Sequence, residues 1–344
     1  MGNRILSLQS MRLIASLTVL QYHLWNNYLD VTFLHPGTDF FIVLVGMVAA
    51  LSEARLIPQG GWSRYILGRY LRLYVTFVPV FFLYLISGRD SLSLEFVTKS
   101  FFFIPINGQL PLVGVSWMLA MFLVFYWLFS LAFIFRQERM LIPIFGIWLA
   151  ACLIRELLDV HFPIFDKGFQ IMLDIRNAEF LLGYLGGWLV RSHKISNRMG
   201  GWLFVLGILT LIPSIWLLNS AEYATSLRVF LYGTSMTLMA TGLAGQEKGG
   251  VESPLLWVMT HPWLVWLGGT SYVLYLTHNM LLRVWDALIP ITPIQVPLIT
   301  AVMLVAAAMG YQLWEKPVLA ALRHKWFPKP ESIKMIKNVN YEST

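Results

Sequence analysis

Apolar side chains run along this chain in long blocks separated by short polar segments. A helix that crosses a bilayer needs about 20 mostly apolar residues. Blocks of roughly that length lie at 10–28, 38–54, 70–87, 112–135, 140–155, 172–190, 201–218, 227–244, 268–289 and 296–314. The pattern predicts an all-α, polytopic integral membrane protein of about ten transmembrane helices. The stretch 254–267 is too short to span easily and carries Trp257, Trp263, Trp266 and His261. Tryptophan favours the headgroup level, which predicts a helix lying on the membrane there. The shorter run Phe101–Ile106 is expected near the outer interface. A single transmembrane domain over 1–326 and a polar cytoplasmic tail over 327–344 complete the expected organisation.

Composition narrows the class. Hydrophobic residues make up 57% of the 344 and charged residues only 12%, about half the share of an ordinary soluble domain. Mean hydropathy is +0.65. So few charges argue against a soluble globular enzyme, a disordered chain or a nucleic-acid-binding module. The net charge of +7 has a topological explanation instead. With the N-terminus inside, 18 Lys and Arg fall on the inner side and 7 on the outer. Cytoplasmic loops carry the excess of basic residues, so the expected orientation is N-in and C-in, with an even number of spans. The first span has no small-x-small cleavage site and is expected to be a retained helix. The single cysteine, Cys152, leaves no intrachain disulfide and no multi-cysteine metal site.

Ionisable residues inside spans are costly and mark function by default. Arg12 and His23 share the first span, eleven positions apart. At 100° per residue that spacing falls within about 20° of a whole number of turns, so both occupy one face, roughly 16 Å apart along the axis. A cation at the inner mouth and a proton acceptor deeper in suit a long ligand with an anionic head, of which coenzyme A is an example. The alternative is that Arg12 marks the membrane boundary and His23 bonds to a neighbouring helix. Asp39, near the start of the second span, is expected at the depth of His23, where a carboxylate would fix the imidazole tautomer. Alternatively Asp39, with Thr38, caps its own helix. Arg64, Arg69 and Arg72 follow the second span, and Arg69 and Arg72 share a helix face. Their guanidinium forks match phosphate oxygens, although basic residues inside also serve topology alone. Further candidates are Trp117, Arg176 with Glu179, His278 and Glu315. For these the bland readings are an interfacial anchor for Trp117, a self-neutralising pair for Arg176 and Glu179, and core packing for His278. Gly183, Gly186 and Gly187 suit close helix packing of the small-xxx-small kind. The scattered histidines form no metal-binding spacing, and no P-loop or GxSxG motif is present.

Several blocks, in order, resemble the membrane-bound acyltransferase 3 family. Arg12 to His23 is similar to the family's Arg-x10-His signature. GTDFFIVLVGMV resembles its second helix, RYLRLYV its arginine-rich stretch, and SWMLAMFLVFY, with Tyr126, its tryptophan-led helix. RNAEFLLGYLGG, SYVLYLTHNML and WEKPV resemble later blocks, so that the likeness runs to about Pro317. The chain departs from the family at Leu13, where a glycine is usual, and at Val45-Gly46-Met47, which replaces Ser-Gly-Phe. Phe122 stands where a glutamate is common. The resemblance implies a multi-pass enzyme of the bacterial inner membrane. Its donor would be cytoplasmic acetyl-CoA, used as a co-substrate with no metal. Its acceptor would be a hydroxyl of a surface polysaccharide or lipid-linked glycan. It also implies that His23 and Arg12 are the functional histidine and arginine, and that Arg69 and Arg72 handle phosphate. Two other readings stay open: a transporter or flippase for a lipid-linked glycan, and an acyltransferase acting on a lipid or small-molecule hydroxyl.

Overall fold

A computed structural model of the protein describes residues 5–26, 28–29, 34, 36–87, 92–104, 110–158, 169–219 and 225–326. The expected tail lies outside the described residues. The described chain is all-helical: α1 (Ser7–Trp25), α2 (Pro36–Val48), α3 (Trp62–Ser87), α4 (Leu94–Phe101), α5 (Trp117–Phe135), α6 (Leu141–Leu158), α7 (Ala178–Arg191), α8 (Asn197–Asn219), α9 (Thr225–Arg228), α10 (Thr234–Lys248), α11 (Pro254–Met259), α12 (Pro262–Leu288), α13 (Val296–Gly310) and α14 (Lys316–Trp326). Wide π-helical turns prolong α2 over Ala49–Glu53, precede α10 over Val229–Gly233, and join α13 to α14 over Tyr311–Glu315.

Among the described residues, six stretches are long and apolar enough to cross a membrane: Pro36–Gln59, Trp62–Ser87, Gly114–Phe135, Glu138–Leu158, Asn197–Leu217 and Pro293–Trp326. The other expected spans, 10–28, 172–190, 227–244 and 268–289, are helical over much of their length as α1, α7, α10 and α12 but do not meet that measure. Polar side chains lower the mean on α1 and α12, and α7 is only 14 residues long. Gln9, Ser10 and Ser16 on α1 are buried, as are Thr270, Ser271 and His278 on α12. They face protein rather than lipid. By contrast Ile142, Ile147 and Leu157 on α6, and Leu209, Ile212 and Trp216 on α8, are widely exposed. An exposed apolar surface of this kind suits hydrocarbon.

The stretch 254–267 does not form one interfacial helix. It breaks at Thr260 and His261, and Pro262 opens α12 as its first residue. Proline lacks the N–H that a first-turn residue leaves unpaired anyway, so it starts helices well. Trp263 and Trp266 therefore ride on the first two turns of a 27-residue helix. The run beginning at Phe101 ends α4, whose first turn is capped by Ser93 Oγ accepting from Phe96 N–H at 3.1 Å; residues 105 and 106 lie outside the described set.

Lipid gives helices no hydrophobic reason to associate with one another, so close van der Waals packing must hold them together. Glycine supplies it at three crossings. A Cβ at Gly46 would stand 2.0 Å from the Phe180 carbonyl oxygen, and one at Gly183 would stand 2.0 Å from that of Val43. These two positions press α2 and α7 backbone to backbone. A Cβ at Gly268 on α12 would likewise stand 2.0 Å from the Gln9 carbonyl oxygen of α1, and one at Gly242 on α10 would stand 2.5 Å from that of Gly200 on α8. Glu247, at the end of α10, accepts from the N–H groups of Leu6 and Ser7 at 2.6 and 2.8 Å and so satisfies the free amides at the start of α1. Gly183→Ala is expected to force α2 from α7 and destabilise the protein by ~1–3 kcal/mol. Gly146→Ala, which meets nothing within 4 Å, should leave stability unchanged. Melting temperatures in detergent compare the two, and equal values would remove glycine contact as the basis of this packing.

Candidate active site

A cavity of about 810 Å³ opens between α1, α2, α3, α5, α12 and α14. Six cations line it: Arg12, Arg55, Arg69, Arg72, Lys316 and Arg323. Two acids, Glu53 and Glu315, accompany them. Arg12 reaches the wall because it lies one turn beyond Leu8 and Gln9 on the inward face of α1. Arg69 and Arg72 are one turn apart on α3, so one helix face presents both. The wide turn after α2 ends at Glu53, and the one before α14 ends at Glu315.

Arg69 is held from several sides. Its Nη1 pairs with Glu53 Oε1 at 2.7 Å, and Tyr65 donates its hydroxyl to Glu53 Oε2 at 2.7 Å. The guanidinium stands 5.3 Å from the Tyr65 ring centre and 5.5 Å from that of Tyr126. Both distances fall within the range of cation–π attraction. Across the cavity Glu315 Oε2 accepts from the Thr76 hydroxyl at 2.7 Å. Polar anchoring is concentrated on this cationic half. The other end is lined by Phe41, Leu44, Met118, Phe122 and Tyr275. Thus Phe122, which replaces an acidic residue common in the resembled family, contributes apolar wall.

Tyr275 links the cavity to His278 and, through it, to the exposed His23 in the last turn of α1. Its ring meets Phe41 edge-on at 5.5 Å and lies 6.1 Å from that of His278, one helical turn farther along α12. The His278 ring centre is 5.1 Å from that of His23. His278 is 1% exposed, and its Nδ1 sits 2.7 Å from the Tyr275 carbonyl oxygen and 3.3 Å from that of Leu274. A carbonyl only accepts, so Nδ1 carries the proton and Nε2 is an acceptor. That Nε2 is buried and has no hydrogen-bond partner among the described residues.

Asp39 turns to Arg228 rather than to His23. Its Oδ2 receives Arg228 Nη2 at 2.7 Å, and its Oδ1 receives Arg228 Nε at 3.2 Å. A guanidinium fork offers a carboxylate two parallel bonds that no imidazole can supply. Thr38 also donates to Asp39, at 3.3 Å. Glu179 lies against this pair and is fully buried; Gly233, opposite it, leaves it room, since a Cβ there would meet the Glu179 side chain at 3.0 Å. The expected Arg176–Glu179 pair is also redistributed. Arg176 takes both oxygens of Asp174, at 2.7 and 3.0 Å, because Asp174 caps the short turn from which Arg176 emerges. The same guanidinium lies 4.7 Å from the Trp117 ring centre.

Arg12, Arg69, Arg72 and Glu315 therefore share one cavity. His23 and His278 form a second group beyond its aromatic end. Asp39, Glu179, Arg176 and Trp117 belong to a third, with Arg228. Sequence reasoning passed over Arg228, Glu53, Tyr275 and the cavity roles of Arg55, Lys316 and Arg323. Glu53 carried a usable signal, being an acid inside an expected span. Arg228 stands at the head of an apolar run and read only as a loop charge. Among the described residues no three His, Cys, Asp or Glu gather as a metal site.

A helical membrane bundle with a cationic cavity, the buried His278 and the exposed His23 beside it defines a class, and comparison specifies it. The family model described as an acyltransferase domain, acyltransferase 3, matches residues 5–311. The chain belongs to the acyltransferase 3 family. Neither a curated protein nor a solved structure matches. Arg228→Leu is expected to strand the buried Asp39 carboxylate and lower stability by ~3–5 kcal/mol. Adding Asp39→Asn to that variant should recover most of the loss. Thermal unfolding of both variants tests the pairing, and a double variant no more stable than Arg228→Leu would contradict it.

Proposed function

We propose that the protein is an O-acetyltransferase of the bacterial cytoplasmic membrane. It moves an acetyl group from cytoplasmic acetyl-CoA to a hydroxyl of a surface polysaccharide or its lipid-linked precursor. The observation that carries this reading is the cavity itself, lined by six cations together with aromatic and apolar side chains, one of which, Tyr275, lies against His278, the neighbour of His23. Phosphates suit the cationic half, and an uncharged acyl-bearing arm suits the apolar half. Ten spans with both termini inside agree with the 18-to-7 division of basic residues. That orientation turns the mouth, with Arg12, Arg69 and Arg72, toward the cytoplasm where acyl-CoA is available.

In this mechanism Arg12, Arg69 and Arg72 bind the phosphates of the donor. Glu53 and Tyr65 keep Arg69 in position, so little ordering remains to be done on binding. His23 accepts the proton of the acceptor hydroxyl. The oxygen then attacks the thioester carbonyl, the carbon–sulfur bond breaks, and the proton passes to the departing thiolate to give the free thiol. General-base assistance of this kind contributes typically 10²–10⁴-fold. Asp39, Glu179, Arg176, Arg228 and Trp117 form the polar and aromatic surroundings in which a sugar hydroxyl would be received. An acceptor on a lipid or small molecule would use the same donor half.

His23→Ala at normal membrane abundance should abolish acetylation of the surface glycan, read as the loss of one acetyl mass per modified unit. Undiminished acetylation would remove His23 as the base. Acylated lipids lost from a deletion strain, with glycans unchanged, would move the acceptor to the lipid class. Replacing Arg69 and Arg72 together by Gln should weaken acetyl-CoA binding at least tenfold, with acceptor binding little changed. The reverse pattern would refute phosphate binding by these two residues.

A further inference from the structure

Two features of His278 do not follow from packing. A histidine that merely fills a core has both ring nitrogens satisfied or is replaced at no loss by an apolar residue, because a buried unpartnered acceptor costs about 1–3 kcal/mol. His278 has one nitrogen fixed and the other left open. Nδ1 is tied by the carbonyl oxygen of Tyr275 at 2.7 Å, which sets both the tautomer and the ring plane. Nε2 is thereby an acceptor, buried and without a partner among the described residues. The second feature is its neighbour. The His23 ring centre lies 5.1 Å away with the planes at 39°. A ring-to-ring N–H···N hydrogen bond of about 3 Å spans roughly 5 Å between centroids, so a small ring rotation would bring a His23 N–H onto Nε2.

We propose that His278 is the positioning residue for His23. Its Nε2 accepts a hydrogen bond from the second nitrogen of His23 as that imidazole takes up the proton of the acceptor hydroxyl. The proton lost by the hydroxyl resides on His23 until the departing thiolate takes it, and His278 gains none. The role is the one a carboxylate plays beside a catalytic histidine, where fixing the tautomer and steadying the imidazolium are the contributions. A neutral acceptor held by a backbone carbonyl serves it here because Asp39, the carboxylate expected beside His23, is engaged by Arg228. The inference rests on the acyltransferase reading with His23 as base.

The test uses the full-length protein in membranes with acetyl-CoA and its glycan acceptor. His278→Phe fills the ring volume and removes both nitrogens. His278→Asn keeps a donor near the Tyr275 carbonyl and loses the distal acceptor. His278→Gln can place an acceptor oxygen near the Nε2 position. The Phe and Asn variants should lower kcat by roughly 10²-fold while KM for acetyl-CoA changes less than twofold. The Gln variant should recover at least a tenth of wild-type kcat. Combining His278→Phe with His23→Ala should be no slower than His23→Ala alone, because residues acting as one unit are not additive. Wild-type kcat in the Phe or Asn variant, losses that multiply in the double variant, or a Gln variant no faster than Asn would each overturn the assignment. If His278→Phe does not accumulate in membranes, the Asn and Gln comparison decides alone. A wild-type protein that transfers no acetyl group would overturn the proposed function and this inference with it. A wild-type protein that transfers alongside an equally active His278→Asn would overturn this inference only.

Discussion

The backbone contact between α2 and α7 is the constraint on which the rest depends. In water, burial of apolar area would draw two such helices together at almost any separation. In hydrocarbon that drive is absent, and only surfaces that fit at van der Waals distance remain associated. Gly46 and Gly183 remove the side chains that would hold the axes apart, each presenting bare backbone to the other helix. The contact also fixes relative rotation. With those two faces together, Asp39 at the head of α2 and Glu179 at the head of α7 are brought side by side, and Arg228 becomes the cation they share. Packing of this kind places polar groups that would be costly anywhere else in a bilayer.

The same logic orders the interior into three zones. Cations dominate one end of the cavity and exceed the acids there by six to two. Each is costly to desolvate, and the protein offsets part of that with Glu53, Glu315 and the tyrosine faces around Arg69. Aromatic rings occupy the middle, where Phe41 and Tyr275 meet. The histidines and the Asp39 cluster lie beyond. A ligand bearing charge at one end only would match this gradient in a single orientation, so direction of entry is built into the walls rather than into any one contact.

How far the sequence disclosed this arrangement depended on distance along the chain. Arg12 and His23 on one face, and Arg69 with Arg72 on another, were legible because helical periodicity is local. The glycines of α7 were legible for the same reason. The pairs that give the site its character join residues far apart: Asp39 with Arg228, His23 with His278, Glu315 with Thr76. Which helix neighbours which is a property of the packed bundle, and periodicity says nothing about it. Arg176 was misassigned at short range, because a turn over Ile175–Asn177 lies where a continuous helix was expected and hands Arg176 to Asp174. Hydropathy also underestimated its own subject. Buried polar side chains keep α1 and α12 below a hydropathy measure that the lipid-facing α6 and α8 pass, and α7, at 14 residues, is too short for it.

The three wide turns carry a further implication. A π-helical turn holds one residue more than its α-helical counterpart and usually records an insertion within a helix. Here the turns end at Glu53, Gly233 and Glu315. Two of these are the acids of the cavity, and the third leaves the gap that Glu179 occupies. Taking one residue from any of them would restore regular helix and swing everything beyond it by about 100°. The chain can therefore re-aim a whole helical segment at the cavity by a change of length alone. Relatives that differ by one residue at these points would keep the bundle and present a different wall to the substrate.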